Sequence, residues 1–157
     1  MEKVIKDVSS KSIHGFKVVE DGNLIKSINR QGKMFHFIDL NYKKDGIFFH
    51  GWVDYRTNDQ IKEVLDGHFI ELFKTSGCKK SLIENSKMTG SFSGINDWLG
   101  EYFMPKMIGM GLTSNAVVLP ADIFSQLAVE DWDEKTTGFV NRNFGDLNEA
   151  VNWLKSL

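Results

Sequence analysis

Residues 78–120 read CKKSLIENSKMTGSFSGINDWLGEYFMPKMIGMGLTSNAVVLP, and this stretch decides the fold. A short apolar strand, KSLIE, gives way to a Ser/Gly loop. A helix follows, with Ile95, Trp98, Leu99, Tyr102 and Phe103 at helical spacing, and then a second apolar strand, AVVLP. Two strands joined through a helix make a βαβ unit, whose parallel strands are linked by a right-handed crossover. The loop from Met88 to Gly94 then lies at the carboxyl end of the first strand, where open α/β sheets keep their sites. Pro105 has no amide hydrogen, so the helix is expected to break or kink just before it.

Upstream, MFHFIDL and IFFHGWV predict two antiparallel strands with apolar side chains on both faces. Thr57 and Gln60 then form a capping-box pattern ahead of Ile61, Val64, Leu65, Phe69, Leu72 and Phe73, the stripe of a helix laid on a sheet. Gly77 is placed to end that helix in a left-handed conformation. Residues 1–32 read as an N-terminal extension holding a hairpin around Asp21-Gly22. Downstream come a short helix around Ile123 to Leu127, the strand GFVNRNF, and a closing helix capped by Asp146, with Glu149 in its first turn. Its stripe is Leu147, Ala150, Val151 and Leu154. The expectation for residues 33–157 is one α/β domain, a five-stranded mixed sheet flanked by helices in the order β-β-α-β-α-β-(α)-β-α.

A chain of 157 residues suits one domain with a substantial core, and 41% hydrophobic with 25% charged residues is ordinary globular composition. A formal charge of −2 and a pI near 6.1 argue against nucleic acid, which requires a clustered basic surface. The one cysteine, Cys78, cannot form an intramolecular disulfide or a multi-cysteine metal site, and a reducing, cytoplasmic location fits. The sequence contains neither a secretory h-region nor an apolar run of membrane-spanning length.

Most catalytic chemistry finds no pattern. His14, His36, His50 and His68 show no metal-ligand spacing, and His68 falls on the first helix's apolar stripe, as a core histidine would. No phosphate-cradling glycine loop occurs. Gly90-Ser91-Phe92-Ser93-Gly94 has Phe92 where a nucleophile elbow needs its serine. Asp97 and Glu101, one helical turn apart, read as a solvated face, and Cys78 as structural. The expectation is no enzyme, no cofactor and no metal.

The segments SLIEN, DWLGEYFMPKMIGMG, NAVVLP and RNFGDLNEAVNWL, taken with the element order, resemble the STAS family, specifically its bacterial SpoIIAA-like branch, over Met34 to Leu157. The resemblance implies a mixed sheet flanked by helices. In anti-anti-sigma relatives the loop after the central strand carries D-S-S-G, whose second serine is phosphorylated to release a partner. Here Ser93 takes that place before Gly94, while Ser91 and Phe92 depart from the pattern. The branch is also similar in architecture to CRAL-TRIO lipid-transfer domains.

Two functional expectations follow. The first is a regulatory or scaffolding module that captures a protein partner through Ser91, Phe92, Ser93 and Gly94, with Ser93 both an N-cap and an accessible hydroxyl. The second is a hydrophobic-ligand or membrane-surface module built on Trp98, Met104, Met107 and Met110. Around Pro105 the three methionines would form an apolar patch for a homodimer, a partner or a small molecule.

Overall fold

Eight strands lie side by side in sequence order in one mixed sheet: β1 (Glu2–Asp7), β2 (Phe16–Asp21), β3 (Leu24–Asn29), β4 (Met34–Asp39), β5 (Ile47–Trp52), β6 (Lys80–Glu84), β7 (Ser114–Val118) and β8 (Val140–Phe144). The computed structural model describes residues 2–90, 93–119 and 139–157. From β1 to β5 each strand pairs antiparallel with the next, and from β5 to β8 each pairs parallel.

The meander follows from its turns. Asp21 pairs with Leu24, and Gly22, at φ 59°, takes the first central position of a two-residue hairpin, where a positive φ suits glycine. The expected hairpin is therefore present. It is accompanied by a further strand, β1, whose EKVIKD is almost wholly exposed and lacks the alternation that announces a buried strand. Five strands thus precede α1, where a hairpin and two core strands were expected, and all eight strands form one sheet where a five-stranded core sheet was expected. From β4 onward the described elements follow the expected order; the short helix around Ile123 to Leu127 lies outside the described residues.

Helical segments join β5 to β6 and β6 to β7. α1 (Asn58–Val64) opens with the Thr57/Gln60 capping box, whose two reciprocal bonds are both made, and runs through a π turn (Leu65–Phe69) into α2 (Ile70–Ser76). Gly77 ends it at φ 70°, as its missing Cβ allows. Between β6 and β7 lie a 3-10 turn (Ser93–Ile95), α3 (Asn96–Trp98), a second π turn (Leu99–Phe103) and α4 (Met104–Gly109). Pro105 does not end this helix. It sits in the first turn of α4, where its missing donor matters least, and the preceding π turn, closed by Met104 N–H to Leu99 O, carries the chain through. After β8, Asp146 accepts from the Glu149 N–H and starts α5 (Leu147–Ser156).

Two apolar layers result. On one face of the sheet α5 covers Ile47, Phe49, Leu82, Ala116 and Val118 with Ala150, Val151 and Leu154. On the other, α1 to α4 cover Phe48, Trp52 and Val117 with Ile61, Leu65, Phe69, Phe73, Leu99, Phe103, Met104 and Met107.

Candidate functional site

Between the helices α1–α4 and the parallel half of the sheet lies a cavity of about 60 Å³. Its floor is His50 and Trp52 of β5, Ser81 and Ile83 of β6, and Asn115 of β7. Its roof is Ile61, Leu65 and Phe69 from one helical segment and Leu99, Phe103, Met104 and Met107 from the other, with Leu112 beside them. Asn85, just past β6, and Arg56, in the loop after β5, complete it at the carboxyl end of the strands.

The two π turns are set against this space. Leu65 and Phe69 are the first and last residues of one, Leu99 and Phe103 of the other, and all four line the cavity. A π turn inserts one residue into the helical ladder, and such turns are frequent at functional sites. In the first, Gly67 leaves helical geometry altogether, at φ −104° and ψ −118°.

The polar floor residues are arranged by strand register. Ser81, Asn115 and Asn141 stand directly opposite one another across β6, β7 and β8. The Ser81 hydroxyl bonds to Asn115 Oδ1, and Asn115 Nδ2 donates to Asn141 Oδ1 at 2.7 Å. Beside this row, His50 Nδ1 lies 3.0 Å from His36 Nε2, and the two rings pack among Trp52 and Phe69. Burial pushes His50 down to about 3. It holds His36 well below the usual histidine range as well, with the neighbouring His50 and His68 adding to the effect. Both rings are therefore neutral near pH 7. His68, in the first π turn, is likewise lowered to about 4 by burial and by Lys6, and both its ring nitrogens are enclosed without a hydrogen-bond partner. It is part-buried and unpartnered, not the satisfied core histidine its place on the stripe predicts. Among the described residues no group of three or more His, Cys, Asp or Glu could hold a metal ion.

Arg56 is 2% exposed, and burial lowers its guanidinium to about 10, so it stays charged. Its Nη1 donates to the Thr89 carbonyl at 2.6 Å, which ties the loop after β6 to the loop after β5. Asp54 adds a short parallel bridge to Met88: its N–H donates to Lys87 O and its carbonyl accepts from the Thr89 N–H. Asp54 makes these bonds at φ 56°, a left-handed conformation rare outside glycine and most accessible to Asp and Asn. Asn85 starts this loop with its N–H on Val118 O and its carbonyl accepting from Met88 N–H. Its side-chain Oδ1 is enclosed and has no hydrogen-bond partner.

The residues singled out from sequence divide. Ser91 and Phe92 lie outside the described residues. Ser93 and Gly94 are exposed, in keeping with an accessible loop, but the cap position of α3 falls on Ile95, so Ser93 is not that helix's N-cap. Met104 and Met107 are 4% and 2% exposed and line the cavity, and Met110 packs against the core. The three methionines thus turn inward and form no surface patch. Trp98 is part-buried and stacks on Phe103, with Lys62 over its ring. Tyr102, expected in the buried stripe, is 44% exposed and donates to Asp66 instead. The loop and the methionines are therefore two separate places.

Sequence reasoning passed over His50, Ser81, Asn85, Asn115 and Arg56, though the first, second and fourth carried a signal. Each is a polar residue inside an otherwise buried parallel strand, IFFHGW, KSLIE or SNAVV, where an unpaired polar group is costly. Comparison with known proteins adds no relative: no protein-family model matches the sequence, and no curated protein or solved structure matches the chain.

Proposed function

We propose that this protein is a non-enzymatic binding module that holds a small, largely apolar molecule between its parallel strands and the helices α1–α4. The observation that carries the reading is the pairing of the two π turns over one cavity, with Leu65, Phe69, Leu99 and Phe103 lining it from both sides. A mostly apolar enclosure with a few converging polar groups is the usual form of a small-molecule site. Catalysis is less well supported. Ser81, the hydroxyl on the floor, gives its proton to an amide oxygen, which is no general base, and His50 is neutral with another histidine as its partner. Native mass spectrometry of the protein purified from its own cells tests the proposal. The expected result is a species heavier than the polypeptide that reverts to the bare chain on mild denaturation; a bare chain throughout overturns it.

One observation favours a second reading, capture of a protein partner by the loop after β6. Met88 is anchored at 1% exposure while Ser93 and Gly94 stand exposed, so the loop offers a fixed base and an accessible tip. This is the place that the resemblance to the SpoIIAA-like branch gives to a phosphorylated serine. Added negative charge there should disrupt an interface by repulsion and desolvation. Ser93→Asp should therefore abolish capture of a partner from lysate while leaving the melting temperature within about 1 °C, as exposed substitutions do. Unchanged capture sinks this reading.

A further inference from the structure

Among the described residues that line the cavity none is exposed and only Ile83 is part-buried, so an occupant comes and goes only if a wall moves. The walls are unequal. The floor is hydrogen-bonded sheet. The carboxyl end, where Ile83 lies, is tied by the bond from Arg56 to Thr89 O and by the two backbone bonds of Asp54. The roof is made of two helical segments, and among the described residues no backbone hydrogen bond joins one to the other. Side chains hold that seam, and a π turn interrupts each helical ladder beside it.

Outside the roof a second, wider space of about 550 Å³ follows the same seam. Lys62, Glu63, Asp66 and Gly67 line it from the first segment, and Trp98 lines it from the other. Trp98 stacks on Phe103 with the ring centroids 5.7 Å apart, and Phe103 lines the inner cavity. Two stacked rings therefore stand between the outer groove and the cavity. Polar side chains bridge the seam on its outer surface. Asp66, in the first π turn, accepts from the hydroxyl of Tyr102, in the second, at 3.1 Å and from Lys106 Nζ at 3.0 Å; Lys106 also donates to the Tyr102 hydroxyl at 3.3 Å. All three residues are exposed, where such contacts are weak and are screened by salt, so the cluster closes the seam without locking it.

Given that the cavity holds a ligand, as proposed above, we infer that the ligand enters from the outer groove past Trp98 and Phe103, and that Asp66, Tyr102 and Lys106 form the latch that sets the rate. None of the three latch residues lines the cavity. Breaking the latch therefore eases entry and escape alike and leaves the affinity as it was.

The test uses xenon. A cavity of about 150 Å³ takes the six carbons of benzene, so one of about 60 Å³ has room in proportion for about two to three heavy atoms, and xenon is a single atom. Its affinity for the full chain is read from the methyl shifts of Met104 and Met107, and its exchange rate from saturation transfer between free and bound xenon. Tyr102→Phe/Lys106→Met keeps the ring and the aliphatic stem. It should quicken exchange about threefold, with the affinity within about twofold and the melting temperature within about 1 °C. Raising the salt from about 0.05 M to about 0.5 M should quicken exchange in the unmodified chain and not in this variant. Amide hydrogen exchange in β5, β6 and β7 should stay the same in the variant, which separates a moving roof from unfolding. Trp98→Leu removes the outer ring and should quicken xenon exchange further; if it fails to fold, Trp98→Phe carries the same comparison. Unchanged xenon exchange in the double variant, or faster amide exchange in the strands, overturns the latch. Unchanged exchange when Trp98 is replaced overturns the route while the cavity reading stands. No saturable methyl shift with xenon overturns both.

Discussion

Strands β5, β6 and β7 send alternate residues to two faces of the sheet, and the two faces are built differently. Toward α5 go Ile47, Phe49, Leu82, Ala116 and Val118, meeting the stripe of one regular helix. Toward α1–α4 go His50, Ser81 and Asn115 among apolar neighbours, under helices interrupted by π turns and around an open space. Within a single strand, neighbouring residues thus serve opposite ends: Leu82 fills a core and Ser81 faces a cavity. Polar groups and voids both cost stability, so a face that gathers both is the one to associate with binding, and the face that has shed them is the one that holds the fold.

The largest effect should come from emptying the filled face. Leu154 is 0% exposed, and Leu154→Ala should cost about 3–4 kcal/mol in urea unfolding, the transfer term plus a new void. Met107→Ala, 2% exposed but already bordering the cavity, should cost nearer about 2 kcal/mol. Saturating 1-butanol should then recover part of the Met107→Ala loss and none of the Leu154→Ala loss. Equal recovery in both variants would break the comparison between the faces.

Acid should distinguish the faces next. The folded-state value of His50, about 3, lies below the unfolded value near 6.5 because burial disfavours the charged ring. The unfolded chain therefore binds more protons in this window, so stability is complete above about pH 6.5 and falls as the pH drops toward 3. Each unit below 6.5 costs about 1.4 kcal/mol per histidine, so His50 alone accounts for about 2 kcal/mol by pH 5. His36 and His68, both lowered, act in the same direction. All three are on or under the cavity face. Hydrogen exchange at pH 5 should show β4, β5 and α1–α2 losing protection before α5, and the double variant His36→Leu/His50→Leu should flatten the pH dependence. A urea midpoint equal at pH 7 and pH 5 would rule the effect out.

Much of the fold was legible because its signals are local. The Thr57/Gln60 box, Gly77, Asp146 and the buried β7 each depend on neighbours within a turn or a strand, and each is where the spacing places it. β1 was not legible, since its exposed EKVIKD gains strand structure from pairing with β2 and not from its own pattern. The π turns were hidden for another reason. LDGHF and LGEYF each begin with Leu, end with Phe and contain a glycine, but a Leu and a Phe four apart suit an ordinary helix equally well. The candidate site was legible only in Met104 and Met107, and there with the wrong orientation. Apolar density around Pro105 marks an important segment without saying whether it faces water or the sheet, and only the packing of two helices over one cavity decides that.

The smallest effect tests whether the faces are independent. Lys80 begins β6 on the α5 side, and its Nζ donates to Leu154 O at 2.7 Å and Leu157 O at 3.2 Å. The last carbonyls of a helix lack partners in the helix itself, and a cation there also meets the negative end of the dipole. On a partly exposed side chain this is worth about 0.5 kcal/mol, and less in salt. Lys80→Met keeps the aliphatic stem and removes the charge. It should shift the urea midpoint slightly at low ionic strength and hardly at all in 0.5 M salt, which lies at a screening length of about 4–5 Å. Exchange at the end of α5 should quicken, and the recovery of Met107→Ala by 1-butanol should not change. Ser81, the very next residue, is the internal control, because Ser81→Ala alters the cavity floor and should change that recovery with no effect on α5 exchange. If Lys80→Met instead diminishes that recovery, β6 transmits between its faces, and the cavity cannot be treated as separate from the core that supports it.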